Sequence, residues 1–135
     1  YTCDYSRIAS VGKPSSKQVR AHKIITKINR KMRETIKPGL TCSDIFRVGY
    51  RELKKLDMHT SLSGRMGHGQ GLMITEPPSV TIEDKTQLQP GLVFSTEPDF
   101  HSDQGIFTFE DVHVVLEDGY ETLSNENEEL KQILV

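Results

Sequence analysis

Three carboxylates and one imidazole stand out by where the chain places them. His68 lies in Gly67-His68-Gly69-Gln70-Gly71-Leu72, a glycine-rich string whose bare backbone lets another segment or a ligand approach closely. The string lacks the spacing of a dinucleotide fingerprint, and no helix opens after it. Glu97 ends the apolar run Val93-Phe94-Ser95-Thr96, and Glu110 ends Phe107-Thr108-Phe109. Asp4 is flanked by Tyr1 and Tyr5. A carboxylate within apolar strand sequence is costly to bury unless it is paired, protonated or bound to a metal. One histidine with three carboxylates and no thiolate suits a divalent first-row metal such as Mn, Co, Fe or Zn. The residues alone leave a second reading open, in which each carboxylate is a strand-edge charge and His68 is structural.

The elements that must position these groups follow from periodicity and turn chemistry. Residues 1–8 alternate weakly and read as the end of a strand. Ser15 or Ser16 caps a helix whose apolar stripe is Ile24, Ile25, Ile28, Met32 and Ile36, at spacings of three and four. Pro38-Gly39 is its expected stop. A second helix starts at Thr41, with Asp44 three residues on completing a capping box, and buries Ile45, Val48, Leu53 and Leu56. The second half changes period. Residues 80–82, 92–96, 106–109, 112–116 and 121–123 read as strands, separated by the turns Gln89-Pro90-Gly91, Ser102-Asp103-Gln104-Gly105 and Glu117-Asp118-Gly119. The tail from Asn125 reads as a short helix. Helices first and antiparallel strands later make the chain α+β.

With 135 residues the chain is long enough for one core and too short for two. Its net charge of −2 hides a division: 14 Lys+Arg and 4 Asp+Glu through Lys55, then 3 and 15. That split fits nucleic acid, an acidic partner, or two halves that neutralise each other on folding. The basic helix has no interleaved aromatic side chains and no known reading motif, so a solvated face is expected rather than a nucleic-acid site. His22, on that basic face, is expected to be solvated, and His59, His101 and His113 have no partner spacing. No apolar run approaches the ~18 residues of a membrane helix, so no membrane span is expected. Two cysteines, Cys3 and Cys42, form neither a disulfide framework nor a zinc motif, and a reducing, cytoplasmic setting is the expectation. Cys3 is expected to be a small buried residue.

The ordered motifs resemble the pita-bread metallohydrolases: methionine aminopeptidases, Xaa-Pro peptidases and creatinases. Tyr1-Thr2-Cys3-Asp4-Tyr5-Ser6-Arg7 is similar to the family's Tyr-x-x-Asp-x-Thr-Arg strand, and Lys37-Pro38-Gly39-Leu40-Thr41 to the end of its helix. Gly67 to Leu72 with Glu76-Pro77-Pro78, Gln89 to Pro98, and Phe109-Glu110-Asp111-Val112 follow in the family's order over nearly the whole chain. The resemblance implies the C-terminal part of that fold, two helices packed on a curved antiparallel sheet. Residues 1–135 would then be a partial catalytic domain, without the N-terminal half of the fold or any preceding domain. It implies two divalent metal ions held by two Asp, one His and two Glu. Asp4 and Glu110 would bridge the metals, His68 and Glu97 would complete the first site, and Glu97 would be general base and later acid, with a water as nucleophile. The remaining aspartate of the family precedes Tyr1, so one of the two sites is incomplete and little turnover is expected of the free chain. The implied substrate is a peptide or a small-molecule amide, and a homodimer is an assembly that exposed strand edges would allow.

The departures matter for substrate. Proline-directed relatives place two further histidines and an arginine at positions held here by Gly64, Thr75 and Thr108. Leu72-Met73-Ile74-Thr75-Glu76-Pro77 is more similar to members acting on small zwitterionic compounds, such as ectoine hydrolases and dimethylsulfoniopropionate lyases. A catalytically inactive interaction module on the same fold is the other class of reading, against which the retained carboxylates count.

Overall fold

Both helices begin where short polar side chains can accept the free amides of a first turn. In the computed structural model, which describes residues 1–59, 64–125 and 127–134, helix α1 runs Ser16–Arg33 and helix α2 runs Cys42–Lys55. Each carries a reciprocal capping box, Ser15 with Gln18 and Thr41 with Asp44. The stripe of α1 buries Ile25, Ile28 and Met32, and Ile36 stays in the core just beyond the helix end. From α2, Ile45 and Leu53 join the same core, whereas Leu56 is exposed and contributes nothing to it. Helix α1 stops at Arg33, short of Pro38-Gly39.

The strands are β1 (Ala9–Val11), β2 (His68–Gly69), β3 (Glu76–Ser79), β4 (Val93–Thr96), β5 (Asp99–Ser102), β6 (Gly105–Thr108), β7 (Asp111–Leu116), β8 (Gly119–Thr122) and β9 (Lys131–Ile133). Five of them form an antiparallel sheet in the order β3-β2-β4-β7-β8, and β5 and β6 make a separate hairpin. The third pairing is parallel: β1 lies beside β9 with Ala9 opposite Lys131.

Side chains on a strand alternate between faces, so the sheet sorts its residues by parity. Phe94 pairs with His113 and Thr96 with Asp111; this face meets the helices, because Asn29 of α1 donates to the Thr96 carbonyl (2.7 Å) and hydroxyl (3.1 Å) and to the Phe109 carbonyl (3.1 Å). Ser95 pairs with Val112 on the opposite face. Glu97 and Glu110 share the parity of that second face.

Several expectations are corrected here. Residues 1–8 are not a strand; strand structure begins at Ala9. The strand expected at 80–82 lies earlier, at Glu76–Ser79. The tail forms strand β9, not a helix, because the Glu128 carboxylate is captured by Arg30 and Arg33 of α1 and the following residues pair with β1. His22 is buried, only 3% exposed: residues 22, 26 and 29 recur at helical spacing beside the isoleucine stripe and widen the buried face. Cys3 is exposed, and Cys42 is the buried thiol, its pKa pushed up to about 12 by desolvation.

His113 carries a pH dependence. It is fully buried, with Nε2 2.9 Å from Thr96 Oγ1 and Nδ1 3.2 Å from Thr122 Oγ1. Burial brings its pKa down to about 4. The folded state therefore prefers the neutral ring, and this contribution is full above the unfolded value near 6.5 and lost as pH falls towards 4. The loss is about 3 kcal/mol across that window. Urea unfolding of wild type should weaken more steeply between pH 6.5 and 4 than that of His113→Gln; parallel curves would refute the assignment.

Candidate metal centre

Gly67 takes His68 into the sheet through a narrow passage. Met66 N donates to Val80 O (2.9 Å), Val80 N to Gly67 O (2.9 Å), and Glu97 N to Met66 O (2.8 Å). These bonds bring the end of β4 beside β2, and His68 N donates to Ser95 Oγ at 3.2 Å. The His68 ring is anchored through Nδ1, 3.1 Å from the Gly69 carbonyl. A donor Nδ1–H leaves the Nε2 lone pair facing the carboxylates, as a metal-ligating histidine requires.

Nε2 of His68 lies 3.4 Å from Glu110 Oε1 and 3.8 Å from Glu97 Oε2. Asp4, His68 and Glu110 each place a ligand atom within 4.8 Å of the others. Three of the four residues expected from sequence thus come together, and Glu97, its side chain 31% exposed, stands outside that group beside His68. Asp4 is partly exposed, whereas His68 and Glu110 are buried.

The electrostatics are those of crowded like charges. Burial, then the charges of Glu97 and Asp4, push the Glu110 pKa up to about 8. Burial also raises Glu97, opposed by His68 and Arg65. A divalent cation would relieve both effects, and hard oxygen donors with one imidazole are the donor set such a cation takes. The residues fit the metal that the sequence implies.

Residues that sequence reading left without a role complete the surroundings. Arg7 donates to the Glu110 carbonyl (2.6 Å) and to Asp111 Oδ1 (2.5 Å), and its guanidinium lies 4.1 Å from the centre of the Phe109 ring. Asp111, fully buried, also receives Arg33 (3.3 Å) and the Ser124 hydroxyl (2.9 Å). Gln70 is buried between Asp4 and Glu110. It lies just beyond β2, in a glycine string that carries no local signal for such a role. Gln70 also reaches a groove of about 700 Å³ lined by Leu72, Val93, Val112 and Leu123, among others. Of the basic helix, Lys17, Arg30, Lys31 and Arg33 pair with acidic side chains.

An antiparallel sheet with a helix pair packed on it through α1 is the arrangement of the pita-bread fold. Residues 1–118 match the metallopeptidase family M24, and the chain belongs to that family. It is similar to the Xaa-Pro dipeptidase of Pyrococcus furiosus, 29% identical over 131 residues, covering 96% of this chain and 38% of that protein. It is 30% identical over 135 residues to the Xaa-Pro dipeptidase of Lactobacillus helveticus, covering 98% of this chain and 36% of that one. The solved structure of dipeptidase PepE from Mycobacterium ulcerans superposes with a TM-score of 0.88 at 26% identity, over 97% of this chain and 36% of that one. The chain thus spans little more than a third of the length of the relatives it matches. Among the described residues no helix is long and apolar enough to cross a membrane.

Proposed function

We propose that this chain supplies the metal-ligating part of a peptidase that cleaves the amide bond of a small peptide, with Xaa-Pro dipeptides as the substrate class. The observation that carries the reading is the convergence of Asp4, His68 and Glu110 within 4.8 Å, with Glu97 across from His68. Asp4, His68, Glu97 and Glu110 would hold the divalent metal. When bound, such an ion makes a water acidic enough to act as nucleophile near neutral pH and stabilises negative charge on the substrate carbonyl oxygen. The chain's own part is proton handling and placement. Glu97 Oε2 accepts the proton of the attacking water and returns it to the leaving amine, a role that its raised proton affinity favours. His68, locked by the Gly69 carbonyl, keeps Nε2 turned inward. Arg7 holds the backbone of Glu110 from below.

A second reading rests on Thr108 and Thr75. Where proline-directed relatives resembling this chain carry arginine and histidine, Thr108 spends its hydroxyl on the Pro98 carbonyl at 3.4 Å and Thr75 is too short to grip a carboxylate. Small zwitterionic compounds then become the substrate. A protein extended to the length of its relatives and loaded with Mn²⁺ is expected to hydrolyse an Xaa-Pro dipeptide, to stop when EDTA strips the metal, and to resume on adding Mn²⁺. Hydrolysis of ectoine with no action on the dipeptide would favour the second reading. Tight partner binding with no metal and no turnover on either would favour an interaction module.

A further inference from the structure

Gln70 and His68 both reach the Glu110 carboxyl, and Gln70 is only 4% exposed. Its Nε2 lies 2.7 Å from Asp4 Oδ1, 3.0 Å from the Asp4 carbonyl and 3.3 Å from Glu110 Oε1. Turning the amide over would set its oxygen against two carboxylates, so the nitrogen faces them. The Oε1 at the other end is buried and has no partner among the described residues, so no competing donor holds the amide the other way. One neutral group thus offers its N–H bonds to two carboxyl groups from distant parts of the chain.

The position matters because Asp4 has little else to hold it. It lies in a segment without regular structure, tied by Thr2 N to the Gly71 carbonyl (2.7 Å) and by Glu110 N to the Ser6 carbonyl (3.3 Å). Gly71 and Gln70 together therefore strap residues 2–4 to the sheet. A lysine in place of Gln70 would hold the same carboxylates but would also repel a cation from them. An amide holds them and leaves their charge available.

We propose that Gln70 is a positioning residue that sets the affinity of the centre for a divalent cation, by holding Asp4 and Glu110 together before the cation arrives. This rests on the metal-centre reading above. Removing an outer partner of this kind costs about 10- to 100-fold in metal affinity.

The test is calorimetric titration of Mn²⁺ into a protein extended to the length of its relatives, with melting measured without metal. Gln70→Met keeps length and apolar bulk but has no donor; it should weaken Mn²⁺ binding about 10- to 100-fold and shift the metal-free melting temperature by less than about 3 °C. In an Asp4→Asn background the same change should cost less than about three-fold, because the two groups act through one another. Unchanged affinity, or the full loss in both backgrounds, would overturn the role. So would a large drop in metal-free melting, or failure of both Gln70→Met and Gln70→Leu to fold, since the amide would then be structural. Wild type that binds no Mn²⁺ would bring down the metal centre itself, whereas tight wild-type binding with an unaltered Gln70→Met brings down only the role of Gln70.

Discussion

Glu97→Gln, in a protein extended to the length of its relatives, should lower kcat by about 10²- to 10⁴-fold, the usual contribution of a positioned general base. The substitution keeps the shape of the side chain and removes its ability to carry a proton. Glu97 is only half-buried at the mouth of the cluster, so the fold should survive: its main-chain bond from N to Met66 O does not involve the carboxylate. His68→Ala should act differently. It deletes the one nitrogen donor of the group, so the protein should lose its retained metal as well as its turnover, with far-ultraviolet circular dichroism unchanged. Metal content and rate measured together separate the two roles. Wild-type turnover in both variants would sink the hydrolase reading.

Gly67→Ala should remove the native fold or come close to it. An alanine Cβ here would stand 2.0 Å from the Ser95 carbonyl oxygen and 2.9 Å from its carbon, at a φ of +143° that a side chain rarely adopts. The obstacle is main chain of β4 and cannot rotate aside. We expect a loss above about 4 kcal/mol, a large share of the ~5–15 kcal/mol that holds a domain together. Gly39→Ala is the control. Gly39 has φ +86° but nothing within 4 Å of an added Cβ, so it should lose only about 1 kcal/mol from backbone conformation. Thermal melts of the two would show whether close approach or the dihedral angle dominates; equal, small shifts would refute the crowding argument.

What was legible in the sequence was local or repeated. Ser15 with Gln18 and Thr41 with Asp44 are signals within one turn, and the apolar runs of β4 and β7 are bounded by turn residues close by. What was not legible depends on partners far along the chain. β1 and β9 are three residues each and exist because each finds the other across more than a hundred positions. The run Glu128-Glu129-Leu130 has helical composition, yet Arg30 and Arg33 decide its conformation. His22 was misplaced because its neighbours Arg20 and Lys23 are solvated, while its own face is shared with Thr26 and Asn29. The four site residues were identified by resemblance; the residue types by themselves left strand-edge charges equally open. Gln70 was overlooked because an amide in a glycine string shows its value only when both carboxylates are in place.

The pairing of β1 with β9 also sets an order in time. Helices α1 and α2 carry their own caps and pack on each other within one short stretch of chain. Asp4 is made before either of them, but its partners stand at Gln70 and near Glu110, and the strand that follows it docks on residues 131–133. Closing loops of that length costs entropy that only the finished sheet repays. As the chain leaves the ribosome, Asp4 therefore emerges well before the partners that secure it.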